Sequence, residues 1–509
     1  MLRLKGKLLV YTFKAILTLI VVLVPLLGVW FSSSLTAYWN GPIWLALLSG
    51  LFFFPGLPLL WDWWATVRWK RKQQEEGEVE LDPKAAVVAE QRKSRGRILV
   101  FWDRLILRTL VVNLALLVTL GWLFPDEGFT ALSARGDWML DNVDGEWSEP
   151  VSDALFATAG AVEFLYYMAH ENPYEQYADD DTVAPEIEDR GDLRDRSGDV
   201  DDEPDSDDPD AERPAMSWPP PDDLHPVVAE MPESAETSIQ SVAAYIAERE
   251  DDPFYRVKAL FDYVADRLTY DVAVLEALEQ GRHDYPPQDA EAVFEAGTAV
   301  CAGYARLLVE LGRETGDEIV YVTGVSREQD GSISGLGHAW NAARIEGQWY
   351  LMDPTWGSGS VDSDEGFKAR YNPTYLFTPP RIFINTHYPD DEGWQLLEEP
   401  LSRGEFVRQP QLRPTFFANG MELIEPTRSQ TSVGSEARIV LGNPKGRYIR
   451  GFLAPLRGGE GEECDVSRGD ETVVRCPIPA SGRYQVMLFG GSQRYGTMPM
   501  WGKIEVQGG

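Results

Sequence analysis

The sequence predicts an α+β protein in three parts: an N-terminal anchor of three membrane helices, a mixed helix-and-strand domain, and a C-terminal β-sandwich. Three observations carry this reading. Three long apolar runs lie within the first 124 residues. Between Ile239 and Asp353, apolar residues recur first at helical spacing and then in strand-like runs. From about Arg413 onward, short β-rich runs are separated by Gly, Pro and Asp.

The chain has 509 residues, enough for two or three domains, and 44% of them are hydrophobic, which allows real cores. The formal net charge of −35 excludes nucleic acid as a partner, because a phosphate backbone needs a basic face.

The first apolar run carries no charge from Ala15 to Phe31, and Leu8 to Phe13 extend it. At ~1.5 Å per residue it can span a hydrocarbon core of roughly 30 Å. A second run covers Ile43 to Leu60, with Pro55 and Pro58 expected to kink it. A third covers Leu105 to Phe124, with Arg108 near its start, where it can snorkel. Tryptophans cluster at the ends of these runs, as in an interfacial belt. Arg3, Lys5 and Lys7 precede the first run, and the loop from Arg68 to Arg97 is strongly basic. Positive-inside logic therefore places the N-terminus and that loop in the cytoplasm and everything after Phe124 outside. A cleaved signal peptide is the competing reading of the first run; its length and the two runs that follow argue against it.

Val151 to His170 reads as an amphipathic helix. Between Glu171 and Glu212 there are 19 acidic residues against three arginines, and Pro214 to Pro232 is Pro-rich. Such a segment buries too little apolar surface to offset ordering entropy, so it is expected to be a disordered spacer. The expected boundaries are 1–127 for the anchor, 128–172 for a juxtamembrane region, 173–232 for the linker, 233–405 for the catalytic domain and 406–509 for the sandwich.

The helices expected in the catalytic domain are Ile239 to Arg249, Phe254 to Leu268, Ala290 to Phe294 and Cys301 to Thr315. Glu318 to Val325 is β-rich, and His338 to Ile345 and Gln348 to Asp353 form two strands around Glu346-Gly347. Cys301 stands at the start of its helix. A thiol there feels the positive end of the helix dipole and free backbone N–H groups, which favour thiolate and can receive an oxyanion. With a two-residue turn at Glu346-Gly347, Ile345 faces Gln348, His338 falls opposite Thr355, and Asp353 is its diagonal neighbour on one face. A carboxylate then reaches one imidazole nitrogen and leaves the other for the thiolate. That is the logic of nucleophile, base and orienter in cysteine acyl transfer, with Cys301, His338 and Asp353 in those roles.

These segments resemble the transglutaminase-like superfamily. Gly337-His-Ala-Trp-Asn341 followed by Gly347-Gln-Trp-Tyr-Leu-Met-Asp-Pro-Thr-Trp-Gly357 is similar to the kyphoscoliosis peptidase family, as are Tyr375 to Pro380, His387 to Asp390 and Trp394 to Leu397. The resemblance covers about Asp252 to Gly509. It implies a papain-like transglutaminase core with Cys301, His338 and Asp353 as the triad, and it leaves cross-linking, peptidase, deamidase and inactive members open.

Trp340 shares the expected face of His338, and Tyr304 lies one turn into the Cys301 helix. Each can line a substrate cleft or simply pack in the core. Trp349 reads as core. His387 lacks a supporting carboxylate hairpin, while His170, His225 and His283 read as surface residues. No metal-ligand spacing and no phosphate-binding loop is found, so no metal and no cofactor are expected. Cys464 and Cys476 are separated by eleven residues in the β-rich tail and form either a disulfide between neighbouring strands or two free thiols.

The expected function is a membrane-anchored, extracytoplasmic cysteine acyl-transfer enzyme acting on protein or peptide, with water as acceptor in a peptidase or amidase. A cross-linking transglutaminase and a non-catalytic scaffold for cell-envelope proteins are the alternatives. The lipid bilayer is an expected partner; nucleic acid is not.

Overall fold

The computed structural model describes residues 2–39, 43–77, 100–140, 147–167, 172–178, 216–280, 282, 284–327, 337–362, 366–456, 459–469 and 471–508. The expected disorder at 179–210, the basic residues from Lys84 to Arg97, and His170 and His283 lie outside them. The chain divides into two units, Met1–Ala169 and His170–Gly509.

The first unit is helical. Its main helices are α1 (Leu2–Tyr38), α2 (Ile43–Leu51), α3 (Leu57–Gly77), α4 (Phe101–Leu123), α5 (Pro125–Arg135) and α6 (Ser148–Tyr167). Three helical stretches, Leu17–Tyr38, Ile43–Trp69 and Phe101–Leu123, are long and apolar enough to cross a membrane. The break expected at Pro55 is a π-helical turn, Phe52–Gly56, in which Phe54 leaves helical geometry (φ −148°, ψ 112°). Pro55 lacks the N–H that a continuous helix would use there. Large apolar side chains such as Leu26, Leu47 and Val118 face outward, as in a helix surrounded by lipid. Asp62 on α3 is buried and pairs with Arg104 (3.1 Å) and with Arg108 of α4.

In the second unit, α8 (Pro253–Arg267) and α9 (Cys301–Thr315) pack on a four-stranded antiparallel sheet, and α7 (Ile239–Ala247) lies against α9 and α8. Its strands are β1 (Glu318–Ser326), β2 (His338–Ile345), β3 (Gln348–Met352) and β4 (His387–Pro389), in the spatial order β3-β2-β1-β4. Capping fixes the helix starts: Ser238 caps α7 through the Ser241 N–H, and Asp252 caps α8 with Pro253 behind it. One face of α9 presents Tyr304, Leu307, Leu308 and Leu311 to the core. Each such aliphatic side chain contributes about 1.5–3 kcal/mol by leaving water. Gly316 ends the helix in a left-handed cap at φ +83°.

The β2–β3 turn is Glu346-Gly347, both at positive φ (51° and 84°), which suits a type I′ hairpin. The register runs from Ile345↔Gln348 to Asn341↔Met352, the pairing expected from the sequence. The strand stops one residue early, however. Asp353 leaves the ladder to cap α10 (Pro354–Ser358), so Thr355 sits in a helix and not across from His338.

The ends of the expected linker are corrected. Residues 172–178 and 216–232 are structured: Tyr174, Val228 and Met231 are buried, and Pro226–Ala229 is a short helix. An average over an acidic stretch hides these few apolar anchors. His225 is also buried, not superficial. Its Nε2 lies 3.2 Å from Glu250, and its backbone N–H donates to Asp262 at 2.7 Å. Asp262 is buried with Lys258 at 2.6 Å, and the Tyr371 hydroxyl donates to its other oxygen.

The C-terminal region is strand-rich. One sheet joins β5 (Glu422–Glu425), β7 (Glu436–Gly442), β11 (Glu471–Pro477) and β10 (Asp465–Ser467) in that order. The other runs β6 (Thr431–Val433), β13 (Met500–Gly508), β12 (Gly482–Gly491), β8 (Tyr448–Pro455) and β9 (Glu462–Glu463), with Gln411–Leu412 pairing to β13. Ile439 and Val474 from the first sheet share a core with Val486 and Ile504 from the second. Cys464 and Cys476 are joined as a disulfide with Cα atoms 4.6 Å apart.

Candidate active site

Cys301 is the first residue of α9 and the free cysteine of the three. Its position depends on Gln288, a buried amide whose Oε1 accepts from the Val300 N–H at 3.0 Å and so ties the incoming loop to the helix start. Gly303 makes that approach possible: a Cβ there would lie 2.6 Å from the Ala299 Cβ and 2.9 Å from Gln288 Oε1.

His338 opens β2, on the strand beside α9. Asn341, three residues along, donates from Nδ2 to the Ala305 carbonyl of α9 (3.0 Å) and to Val320 of β1 (3.1 Å). This one amide holds the nucleophile's helix and the histidine's strand at a fixed separation. Nothing in the local spacing around Asn341 announces that role.

Asp353 is fully buried and accepts four hydrogen bonds. Oδ1 takes the backbone N–H groups of Thr355 (2.8 Å) and Trp356 (3.1 Å). Oδ2 takes Nε2 of His338 (2.9 Å) and Nε2 of His387 (3.0 Å). Cys301 shares a buried cluster with Ala339, the residue next to His338, which brings the thiol close to the imidazole. His338 and Asp353 are thus brought together, with Cys301 buried beside the neighbour of the histidine.

The sequence reading set His387 aside; the structure places it in the centre. It is fully buried on β4, whose pairing Ser326↔His387 carries it to Asp353 from the far side of β1. Its Nδ1 meets the Thr386 hydroxyl at 2.8 Å, and its ring stacks on Phe383 at 4.0 Å. The Thr386 hydroxyl also donates to the Phe383 carbonyl at 3.3 Å, and Nε2 of the ring faces the carboxylate. The ligand-type atoms of His338, Asp353 and His387 lie within 4.8 Å of one another, a cluster that chain spacing did not show. All three atoms are engaged with one another.

The two histidines are driven apart electrically. Burial pulls both down, but at His338 the Asp353 charge and hydrogen bond, with Cys301 behind them, outweigh it and push the imidazole up to about 10. At His387 burial prevails over the same carboxylate, and the ring falls to about 4. Burial raises Asp353, but the charge of His338, hydrogen bonds from both histidines and the charge of His387 outweigh it and hold the carboxyl well below its ordinary range. The same carboxylate thus favours the protonated form of His338, while burial favours the neutral form of His387.

Trp340 and Tyr304 are both 0% exposed. Of their two readings the geometry carries the packing one: Trp340 wedges between His338, Phe383 and His387, and the Tyr304 hydroxyl donates to the Leu268 carbonyl at 2.9 Å. Trp349 is half-buried and meets Trp394 edge-on at 5.0 Å.

Residues 240–354 match the sequence model of the Transglutaminase-like superfamily. In the C-terminal half the chain is similar to kyphoscoliosis peptidase. It is 31% identical to that of Mus musculus over 252 residues, which are 48% of this chain and 37% of the relative. To that of Homo sapiens it is 31% identical over 215 residues, 41% of this chain and 32% of the relative. The chain therefore spans about a third of the length of these curated relatives. A solved TGase structure is similar over 29% of this chain and 37% of its own, with a TM-score of 0.22 and 22% identity.

Proposed function

We propose that the protein is a membrane-anchored, extracytoplasmic cysteine acyl-transfer enzyme that hydrolyses amide bonds in proteins or peptides. The observation that carries this is His338, held through Nε2 by Asp353, with Cys301 at a helix start packed against its neighbour Ala339.

In this reading the Cys301 thiolate attacks an amide carbonyl, forming a C–S bond, and N–H groups at the start of α9 receive the oxyanion. The His338 imidazolium gives its proton to the leaving amine as the C–N bond breaks. A water then loses a proton to His338 and attacks the thioester, the C–S bond breaks, and a carboxylic acid leaves. Asp353 keeps the ring oriented throughout and takes no proton. Water is favoured as acceptor because the curated relatives are named peptidases; an amine acceptor would make the same site a transglutaminase.

We also read the two C-terminal sheets as a sandwich, and the three apolar stretches as spans with the N-terminus cytoplasmic. A reporter fused after Gly509 should then read as outside; a cytoplasmic signal would remove that topology. Activity is tested with a quenched-fluorescence peptide library on the detergent-solubilised full chain. Cleavage that disappears in Cys301→Ala supports the enzyme. One observation favours the scaffold reading: Cys301 is only 2% exposed. A Cys301→Ala protein that keeps its full cellular phenotype would establish that reading instead.

A further inference from the structure

What covers Cys301 is a piece of the same chain. The segment Asn172-Pro-Tyr-Glu-Gln-Tyr-Ala178 is polar by composition, yet Tyr174 within it is 2% exposed. Its ring packs with Cys301, Val274, Val300 and Ala339 in one buried cluster.

The backbone of the segment is held as well as the side chain. The Tyr321 hydroxyl, itself buried, donates to the Tyr174 carbonyl at 3.0 Å. Asn172 clamps the entry: its Nδ2 donates to the Gly324 carbonyl (3.1 Å) and to Asp390 (2.9 Å), and its Oδ1 accepts the Tyr174 N–H (3.0 Å). Gly337, next to His338, leaves the room required; a Cβ there would lie 2.6 Å from the Asn172 side chain, and its φ of +78° already suits glycine. Main-chain hydrogen bonds combined with one side-chain pocket are how a cleft recognises a polypeptide. A mere spacer would need neither.

We infer that the cleft over Cys301 is a peptide-binding groove that takes an aromatic side chain against the thiol, and that Asn172–Ala178 occupies it as a built-in competitor of substrate. The inference rests on the proposed cysteine chemistry for its meaning and names the substrate class: polypeptide segments presenting an aromatic residue. The segment must leave before an acyl donor can reach Cys301, so reactivity is set by the fraction of molecules in which it is released.

The test uses iodoacetamide on the full chain in detergent, read by intact mass. With Cys464 and Cys476 joined, the label reports Cys301 alone. Tyr174→Ala should be alkylated at least about tenfold faster than wild type, as expected when a protected group no longer waits on local opening. Asn172→Ala, which loosens the clamp from outside the pocket, should also accelerate labelling, whereas Tyr174→Phe should stay protected. Adding a synthetic peptide of residues 172–178 should slow labelling of Tyr174→Ala saturably, and the same peptide with alanine for the first tyrosine should not. Equal labelling of wild type, Tyr174→Ala and Asn172→Ala, with unchanged thermal melts, would overturn the inference. Faster labelling without cleavage of any peptide would keep the groove and remove the hydrolase reading, because alkylation needs no turnover.

Discussion

His387 and His338 place their Nε2 atoms on the same oxygen of Asp353, at 3.0 and 2.9 Å. Two imidazoles share one carboxylate, and His338 is the one whose chain neighbour, Ala339, packs with Cys301. His387 is thereby a positioning residue that holds Asp353 from behind.

Replacing His387 with phenylalanine keeps the stack on Phe383 and removes the donor. A hydrogen bond to a buried charged group contributes about 1.5–3 kcal/mol, so His387→Phe should lower stability by that amount in urea denaturation. It should also slow Cys301 alkylation in a Tyr174→Ala background, because Asp353 orients His338 less firmly. His387→Gln, which retains an N–H donor, should recover part of both. Unchanged values in His387→Phe would show that Asp353 needs no second donor.

Stability should peak near pH 6.5. His338 is raised from 6.5 to about 10, so its ion pair with Asp353 is fully stabilising below pH 6.5 and is lost as pH rises toward 10. His387 is lowered from 6.5 to about 4, so the unfolded chain takes up a proton first, and stability also falls as pH drops from 6.5 toward 4. Melting curves across this range should show both limbs, with the alkaline limb flattened in His338→Ala and the acid limb flattened in His387→Phe. Melting temperatures independent of pH would contradict the assigned directions.

Lys258 and Asp262 form a buried pair four residues apart on α8, reinforced by the Tyr371 hydroxyl. Burial raises the Asp262 carboxyl although Lys258 opposes it. Lys258→Met leaves an uncompensated buried carboxyl and should cost about 3–5 kcal/mol, whereas Lys258→Met with Asp262→Leu should recover most of it. Chemical denaturation of the three proteins measures the difference; a Lys258→Met protein as stable as wild type would count against the pair.

Opening the Cys464–Cys476 bridge should destabilise the strand-rich region. For a separation of 12 residues the lost loop constraint corresponds to about 3 kcal/mol. The Cys464→Ala, Cys476→Ala double variant should match the reduced wild type in guanidinium denaturation. A variant as stable as the oxidised protein would show that the bond contributes little.

Much of this was legible in the sequence for physical reasons. Apolar periodicity located the helices. Glu346-Gly347 fixed the turn and, through the two-residue period of a strand, the register of Ile345 to Asn341 against Gln348 to Met352. The same reasoning carried the ladder three pairs too far, to His338 opposite Thr355. Asp353-Pro354 is also a helix-start signal, a capping carboxylate with proline behind it, and that local preference won. His387 escaped because its partner lies 34 residues away and is reached only through the pairing of β4 with β1. Tyr174 escaped because one buried ring does not change the average of an acidic stretch. Asn341 was visible as a motif residue, but its tie to Ala305 is a tertiary fact.

The four donors around Asp353 also limit what can replace it. Both of its oxygens are saturated, one by two backbone N–H groups and the other by two imidazoles. An asparagine there could keep the two backbone donors only by turning its NH2 group to the imidazoles, and both rings would then have to accept on Nε2 and carry their protons on Nδ1. The carboxylate therefore does more than hold His338: it decides which nitrogen of each ring carries the proton.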